Sequence, residues 1–521
     1  MQNMSFTDAP GFPILSLMIF IPLLAALTTA FLPNPKQARK VALGGATATV
    51  ILSLLILLIF NSDFAGIQMA ERFSWIPTMG IEYGLGVDGI SILMIPMSAL
   101  MFLAILCVAP ESAARPRRWV DVNLLILLAA TLGVFAATDA ILFFIFFEAA
   151  LVPGYFLIKL SAVSSDADRA ARQYMVVMLF GSLPILAGLV LAGYSISKTT
   201  GSLSFDIATM SAAGLPQTTQ LIVFIYLMIG FAVKAPMLPM HLWLRSNINS
   251  SPASMLAWLL GVKLGTYGFL RLVVPLAPQT SADYAYWIIG LSVAAVAYTG
   301  LIALSRRTLR SLLLFSSISH VSLVTAAIFS MSEDGWRGAI LLMLNSGIAA
   351  TGLALCIGLI ERRIGTSDLR AMGGFVRSAP RLTAIVFVSG LAFIGVPGTS
   401  GFIGEFLSIK GVLDAGWLFA LVGVSGVVFG AGSFLVAYQR GFLGPVTAPA
   451  IKSASDLQRH EQIFGAVLIV IILMVGLFPG VPEKMTRATV TAQIEQNAAI
   501  AKSNKVQHLA VLPKATMVKG E

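Results

Sequence analysis

Apolar runs of about 20 residues recur along almost the whole chain, each long enough to cross ~30 Å of hydrocarbon as a helix. "FPILSLMIFIPLLAALTTAFL" near the start and "IFGAVLIVIILMVGLFPG" near the end are two of them. Inside a bilayer every backbone polar group has to be satisfied by the protein itself, which leaves helices or a closed barrel. A barrel would show short alternating strands, so the long unbroken runs point to helices. Of 521 residues, 57% are hydrophobic and only 11% charged, against ~25% charged in ordinary soluble domains. The chain reads as an all-α polytopic membrane protein.

Fourteen spanning segments are expected, at 12–32, 41–60, 88–109, 119–137, 140–160, 173–194, 219–245, 252–274, 284–304, 309–330, 337–360, 382–411, 417–438 and 462–480. The seventh and twelfth are longer than one straight span and hold internal Pro or Gly, so both are expected to be broken. No basic residue precedes the first run and no small-residue cleavage site follows it, which reads as a retained helix. Four blocks follow: helices 1–3 in 1–118, a five-helix repeat in 119–274, a second in 284–438, and helix 14 with a polar tail in 439–521. Each repeat has its interrupted segment fourth, and an odd number of spans inverts one repeat relative to the other. Interrupted helices at matching positions in inverted halves point to a transport pathway.

The loops alternate in charge. One set runs from Lys36, Arg39 and Lys40 through Arg115, Arg117, Arg118, Arg169, Arg172, Arg306, Arg307 and Arg310. It continues with Arg362, Arg363, Arg370, Arg377, Arg381, Arg440, Lys452 and Arg459, whereas the opposite loops carry little beyond Arg72, Lys198 and Arg337. The positive-inside rule puts the basic set in the cytoplasm and both termini on the outer, periplasmic or lumenal side. The basic tail (Lys502, Lys505, Lys514, Lys519) is an exception to that rule. The net charge of +10 is therefore a topology signal, and no nucleic-acid partner is expected.

Cys107 and Cys356 lie in separate apolar segments and suggest neither a disulfide framework nor a metal cluster. "GLGVDG" at 84–89 is read as lacking the preceding strand and following helix of a dinucleotide fingerprint. Walker, H-E-x-x-H and nucleophile-elbow patterns are absent from the sequence. No cofactor or metal site is expected in this chain.

Five ionisable residues stand out near the middle of apolar segments or beside their breaks: Glu148, Lys234, Lys263, His320 and Glu405. Each charge at mid-membrane costs about 2.5–3.5 kcal/mol on insertion scales, so several in one chain need a reason. Glu148 and Lys234 have opposite signs, and a carboxylate partner would decide when the lysine holds its proton. Pro236 and Pro239 would free the carbonyls of Ala232 and Ala235 and imply a hydrated cavity. Pro397 and Gly398, with Ser400 and Gly401, imply a similar opening before Glu405. Lys263 and His320 would relay protons between the two, since an imidazole both accepts and donates. Ser182, Ser316, Ser317 and Ser319 are candidates to anchor water, and His241 is a candidate access residue. Lys410, near its helix end, is expected to snorkel. The competing reading is a salt-bridge network that only holds helices together.

"LGVDGIS", "FFEAALVPGYFLI", "FAVKAPMLPMHLWL", "GVKLGTYGFLR", "SSISHVSL" and "VPGTSGFIGEF" together resemble the antiporter-like proton-channel subunits of respiratory complex I. Those subunits are related to multisubunit cation/proton antiporters. The likeness spans about residues 80–440, and Glu405 with the short C-terminal end resembles the family's M-type branch. The resemblance implies fourteen helices with two inverted five-helix repeats in an energy-transducing membrane, bacterial inner or thylakoid. It implies Glu148 and Lys234 as the input pair, Lys263 and His320 as the central relay, and Glu405 as the terminal carrier. NAD(P)H or another donor, FMN, Fe–S clusters and quinone would belong to partner subunits. L-type and N-type antiporter-like neighbours would flank it.

Two departures stand out. "HLWLRSNINSSP" replaces the family's usual "HTWLPDAHxxAP", and Ser346 stands before Gly347 where the family often has histidine. A hydroxyl can anchor water there but cannot store a proton. Three functions remain open: a proton-translocating subunit coupled to quinone reduction elsewhere, a cation/proton antiporter subunit, and a proton-channel or structural subunit of a hydrogenase or CO2-hydrating relative.

Overall fold

The computed structural model describes residues 12–108, 117–161, 166–248, 250–261, 263–446 and 448–511, with side chains as far as Lys502. Arg115, Lys514 and Lys519 lie outside the described residues. Two helices, α1 (Ile14–Phe31) and α2 (Pro35–Ile59), lead into a hairpin of β1 (Gln68–Ile76) and β2 (Ile81–Val87). Then come α3 (Met94–Val108), α4 (Arg117–Ala136), α5 (Ala140–Ala149), α6 (Leu151–Leu160), α7 (Ala167–Thr200) and the short α8 (Ile207–Ala213). The seventh expected segment divides into α9 (Gln217–Lys234) and α10 (Leu242–Ile248). The eighth divides into α11 (Ala253–Gly261), α12 (Leu264–Gly268), a π-helical turn (Phe269–Val273) and α13 (Val274–Leu276). After α14 (Pro278–Leu304), α15 (Leu309–Phe329) and α16 (Glu333–Ile364), the twelfth divides into α17 (Pro380–Phe393) and α18 (Phe402–Ala415). The chain ends with α19 (Trp417–Phe442), α20 (Pro449–Lys452), α21 (Arg459–Leu477) and α22 (Gly480–Val511).

Twelve of the described helices are long and apolar enough to cross a membrane, taking Ala140–Leu160 and Ala253–Leu276 as one each. Met94–Val108 and Pro380–Phe393 are shorter apolar helices. The helices begin where side chains satisfy their first N–H groups. Asp139 accepts from Ile141 and Leu142 ahead of α5, and Ser332 accepts from Gly335 ahead of α16. Burial sorts the helices into layers. The apolar window of α15 is 100% buried and that of α16 94%, against 22% for α21. The first two form the core, and α21 turns most of its surface outward.

Several expectations need correction. The chain is not purely helical: β1 and β2 pair antiparallel, with Phe73 opposite Tyr83. β2 covers most of "GLGVDG", so a strand does stand before that stretch. Its glycines serve packing, since a Cβ at Gly84 would lie 2.7 Å from the Thr138 hydroxyl. The polar tail from 483 is instead the 32-residue helix α22, held along the body by its buried Val490, Thr486, Thr489 and Asn497. A run of low apolar content hid that helix, because few contacts rather than a full stripe bury it. Lys36, Arg39 and Lys40 lie within α2 rather than in a loop. Cys107 is exposed on α3, whereas Cys356 is buried.

Ion pairs tie the helix ends at two opposite faces. On the arginine-rich face, Arg39 meets Asp121 at 2.8 Å, Arg310 meets Glu361, and Arg363 meets Glu461 at 2.5 Å. On the hairpin face, Arg72 meets Asp206 at 2.7 Å, Arg337 meets Glu483 at 2.8 Å, and Lys484 meets Asp63 at 3.4 Å. Glu71 of β1 reaches back to the start of α1, accepting from Leu15 N–H at 2.7 Å.

Candidate functional site: a row of charges at broken helices

Lys234 is the last residue of α9. A helix C-terminus carries partial negative charge and favours a cation there, so ending the helix at the lysine supplies part of the solvation that lipid cannot. The ammonium donates to the carbonyl of Phe147 at 3.3 Å and lies 4.1 Å from the centre of the Phe147 ring. That is a cation–π contact in a desolvated setting. The expected close pairing with Glu148 is absent from the ion pairs of the described residues. Glu148 is half-buried, has Ser182 as its hydrogen-bonding neighbour and feels the lysine charge only at a distance.

The Ala232 carbonyl at the first break is not free, which corrects the proline argument for that residue. Met237 N–H donates to Ala232 O at 3.1 Å, and the Trp243 indole donates to Val233 O at 3.2 Å. Pro236 and Pro239 lie within this Ala235–His241 interval; Pro239 is exposed and His241 half-buried with its Nδ1 unpartnered.

Lys263 is buried at 7% exposure and marks an interruption that no proline signals. It is non-helical, between α11 and α12, and its ammonium donates to Leu260 O at 2.6 Å in the last turn of α11. Gly265 lets this segment approach the first break, since a Cβ there would lie 2.4 Å from Ala235 N. Two cavities adjoin Lys234. One of about 40 Å³ is lined by Thr131, Tyr174 and Trp243; the other, about 20 Å³, is lined by Lys263, Thr266 and Ser317 as well. A water needs ~10–15 Å³ of such space together with polar partners. The second cavity links the two lysines, and the Ser317 hydroxyl beside it has no protein partner.

His320 and Glu405 form the far end. Both are buried, and His320 Nε2 stands 3.4 Å from Glu405 Oε1. His320 also lies within electrostatic reach of Lys263, and its ring packs on Phe393 at 4.4 Å. Glu405 is in the first turn of α18, the positive end of a helix dipole, which favours an anion. The buried hydroxyls of Ser316 and Ser346 lack protein partners. Ser319 instead bonds to Val296 O at 3.3 Å and is turned to the α14 backbone.

The second break repeats the bonding of the first. Ala235 N–H bonds to Phe231 O, and Ile394 N–H to Gly390 O. Met237 bonds back to Ala232, as Val396 does to Leu391 at 3.0 Å. Val233 O is taken by Trp243, and Ala392 O by Asn345 Nδ2 at 3.1 Å. The backbone partners and the capped carbonyls match residue by residue at one constant sequence offset, whereas the two capping side chains come from unrelated positions. Pro397 is exposed beside this break, and Gly398 has a positive φ of 88°.

Sequence reasoning missed three features here. Asn345 is fully buried, and its Oδ1 also accepts from Ser400 at 2.7 Å; an amide inside an apolar run was the available signal. Gly395, at φ 65°, leaves room for the Glu405 carboxylate, because a Cβ there would lie 2.1 Å from Oε2. Arg271 and Asp88 form a buried ion pair, and an arginine in the eighth apolar segment could have announced it. Among the described residues no group of three or more His, Cys, Asp or Glu is placed to hold a metal ion.

Residues 137–430 match the family described as NADH:quinone oxidoreductase/Mrp antiporter, TM. NADH-quinone oxidoreductase subunit M of Rickettsia typhi is 35% identical over 482 residues, covering 90% of this chain and 96% of that one. Its counterpart from Rhodobacter capsulatus is 33% identical over 505 residues, covering 93% and 96%. A chain of respiratory complex I from Thermus thermophilus with bound NADH superimposes with TM-score 0.83 at 28% identity, covering 94% of this chain and 99% of that chain. A chain of the Mrp complex from Dietzia sp. DQ12-45-1b gives TM-score 0.81 at 21% identity, covering 93% and 98%; this is a likeness of fold.

Proposed function

Because the chain belongs to the NADH:quinone oxidoreductase/Mrp antiporter transmembrane family, we propose that it moves protons along Glu148, Lys234, Lys263, His320 and Glu405, driven by quinone reduction elsewhere in a complex I-type assembly. It is an antiporter-like membrane subunit of the M type and works beside other membrane subunits. The observation that carries the proton row is that its two lysines and the terminal glutamate each sit where a membrane helix is interrupted. A buried salt-bridge strut needs no such interruptions, whereas a carrier needs polar backbone and water beside it.

When Glu148 closes on Lys234, both stay ionised. When it withdraws to Ser182, the lysine is left over an aromatic ring and passes its proton through the shared cavity to Lys263. His320 takes it next and hands it to Glu405. Moving one charge against the membrane potential takes about 2.3 kcal/mol per 100 mV, so each switch has to change proton affinity substantially. The matched bonding at the two breaks supports two related five-helix blocks, 119–274 and 284–438, in inverted orientation. The arginine-rich face is cytoplasmic on the positive-inside rule, with the hairpin and α22 outside. The electron donor, FMN, Fe–S clusters and quinone belong to partner subunits.

Replacing Lys234 by Ala in the assembled complex is the test, with proton translocation measured in vesicles alongside quinone reduction. A loss of pumping supports the row. Normal protons per electron in an intact complex would make Lys234 a structural charge. Cation-dependent transport without quinone would favour the antiporter reading instead.

A further inference from the structure

A cavity of about 480 Å³ lies away from the row, between α3 and α21, with α16 as its floor. It is more than three times the ~150 Å³ of an apolar cavity that takes up benzene. Its lining is apolar except for Thr351, whose buried hydroxyl has no protein partner. At Gly347 and Gly352 of the floor an added Cβ would lie 1.9 Å from Met97 and 2.6 Å from Leu468. The two walls therefore rest directly on the floor, and the space between them is a groove. Along α21 it runs from Phe464 to Phe478, about 21 Å of helix. One leaflet of hydrocarbon is about 15 Å deep, so an acyl chain fits along the groove. Val467 and Met474 of the α21 wall are 48% and 59% exposed, on a helix apolar enough to cross a membrane. Hydrocarbon fills such a groove, because bare walls forfeit their dispersion contacts.

Charge at one end narrows the choice of occupant. α3 leaves the groove at Ala104, and the Leu106 carbonyl just beyond accepts from both Arg39 and Arg117. These two arginines share one carboxylate, Asp121, at 2.8 and 3.4 Å. On α21, one turn before Phe464, Glu461 is shared by Arg362 at 3.1 Å and Arg363 at 2.5 Å. Each wall thus ends in two guanidinium groups on one buried carboxylate, a surplus of one positive charge on either side. The side chains of Arg362 and Arg39 remain 36% and 25% exposed. At the hairpin end, Lys484 is matched by Asp63 at 3.4 Å.

We propose that the groove holds an acyl chain of an anionic phospholipid from the arginine-side leaflet, its phosphate seated at the two arginine pairs. Guanidinium groups bind phosphate oxygens through paired, charge-assisted hydrogen bonds, and the surplus charge matches an anionic headgroup. A zwitterionic lipid offers the same chain but brings its own cation. A partner's apolar helix or a prenyl chain would suit the walls and leave the surplus unmatched. The site is independent of how protons move through the row.

The test uses the intact complex in vesicles with a trace of lipid bearing a mid-chain diazirine, as phosphatidylglycerol or as phosphatidylcholine. Labelled residues are read by mass spectrometry after illumination. The expected label falls on the groove residues of α3 and α21, with phosphatidylglycerol favoured about fivefold per surplus charge. Arg362→Gln leaves Glu461 paired with Arg363 and should lower that preference about fivefold. Val467→Trp crowds the rim and should remove groove label with either lipid. Label spread evenly over the groove and the outward faces of α14 and α19, without headgroup preference, overturns the site in favour of bulk lipid. An unlabelled groove beside labelled α14 and α19 overturns it in favour of a partner's helix. Displacement of the label by added quinone overturns it in favour of a prenyl chain. The headgroup comparison is made on the native complex, so it decides the matter even if a variant fails to assemble.

Discussion

The two broken segments close with the same backbone bonds but are locked by different parts of the molecule. At the first, Val233 O is capped by Trp243, ten residues further along the same segment. At the second, Ala392 O is capped by Asn345 from α16, and Ser400 is pinned to the same amide. Their charges differ in the same sense. Lys234 is half-buried, with an aromatic ring in place of a close carboxylate, whereas Glu405 is 5% exposed and faces His320. A break stapled within its own segment can shift as a unit. A break clamped by the largely buried core helix α16 can shift only if that helix takes part. The first arrangement suits a switch, and the second suits a fixed terminal site.

The largest effects should separate charge from proton transfer at these sites. Lys234→Arg keeps the positive charge but cannot release a proton at physiological pH. It should abolish pumping as fully as Lys234→Ala; native pumping in the arginine variant would leave the first break an electrostatic prop. At the second break, Gly395→Val places a β-branched side chain at φ 65° and against the Glu405 carboxylate. Backbone strain of that kind costs about 1–3 kcal/mol before the clash is counted, and a thermal melt of the assembled complex should fall accordingly.

A smaller loss is expected from Asn345→Leu. It strands the Ala392 carbonyl and the Ser400 hydroxyl, at about 1–3 kcal/mol for a buried group left unsatisfied. Trp243→Phe removes a single donor at the first break, and a typical hydrogen bond contributes about 1 kcal/mol net. Measured by chemical or thermal unfolding, the asparagine change should exceed the tryptophan one. The reverse order would contradict the assignment of the second break as the more rigid.

The smallest effect lies outside the membrane. Burial pushes the Glu71 carboxyl above its usual 4.5, although Ser16 and the Leu15 and Ser16 N–H groups pull it down. The folded chain therefore binds that proton more tightly than the unfolded chain does. Its stabilising share is complete below pH 4.5 and is lost as pH rises through the elevated value. Glu71→Gln should remove this dependence, so the thermal midpoint of the variant should gain on the native chain as pH is raised.

Much of this was legible in advance. Glu148, Lys234, Lys263, His320 and Glu405 stood out because charge in an apolar run is costly, and the prolines marked the seventh and twelfth segments as broken. Other features left fainter marks. The break at Lys263 has no proline to signal it, and Asn345, Asp88 and Arg271 gained their meaning only from partners far along the chain. The hairpin was missed because burial does not alternate along its strands, and α22 because a thin line of contacts buries it.

Hydropathy by itself determined that this chain is a helical membrane protein, because lipid leaves the backbone no other way to satisfy its polar groups. Spacing and charge also determined which ionisable groups lie inside the apolar segments. Tertiary structure alone decided which of them meet. Whether Lys234 faces Glu148 or Phe147, and whether Ala392 O finds water or Asn345, depends on side chains brought together across dozens to hundreds of residues. Those contacts are set by packing, which no local pattern encodes.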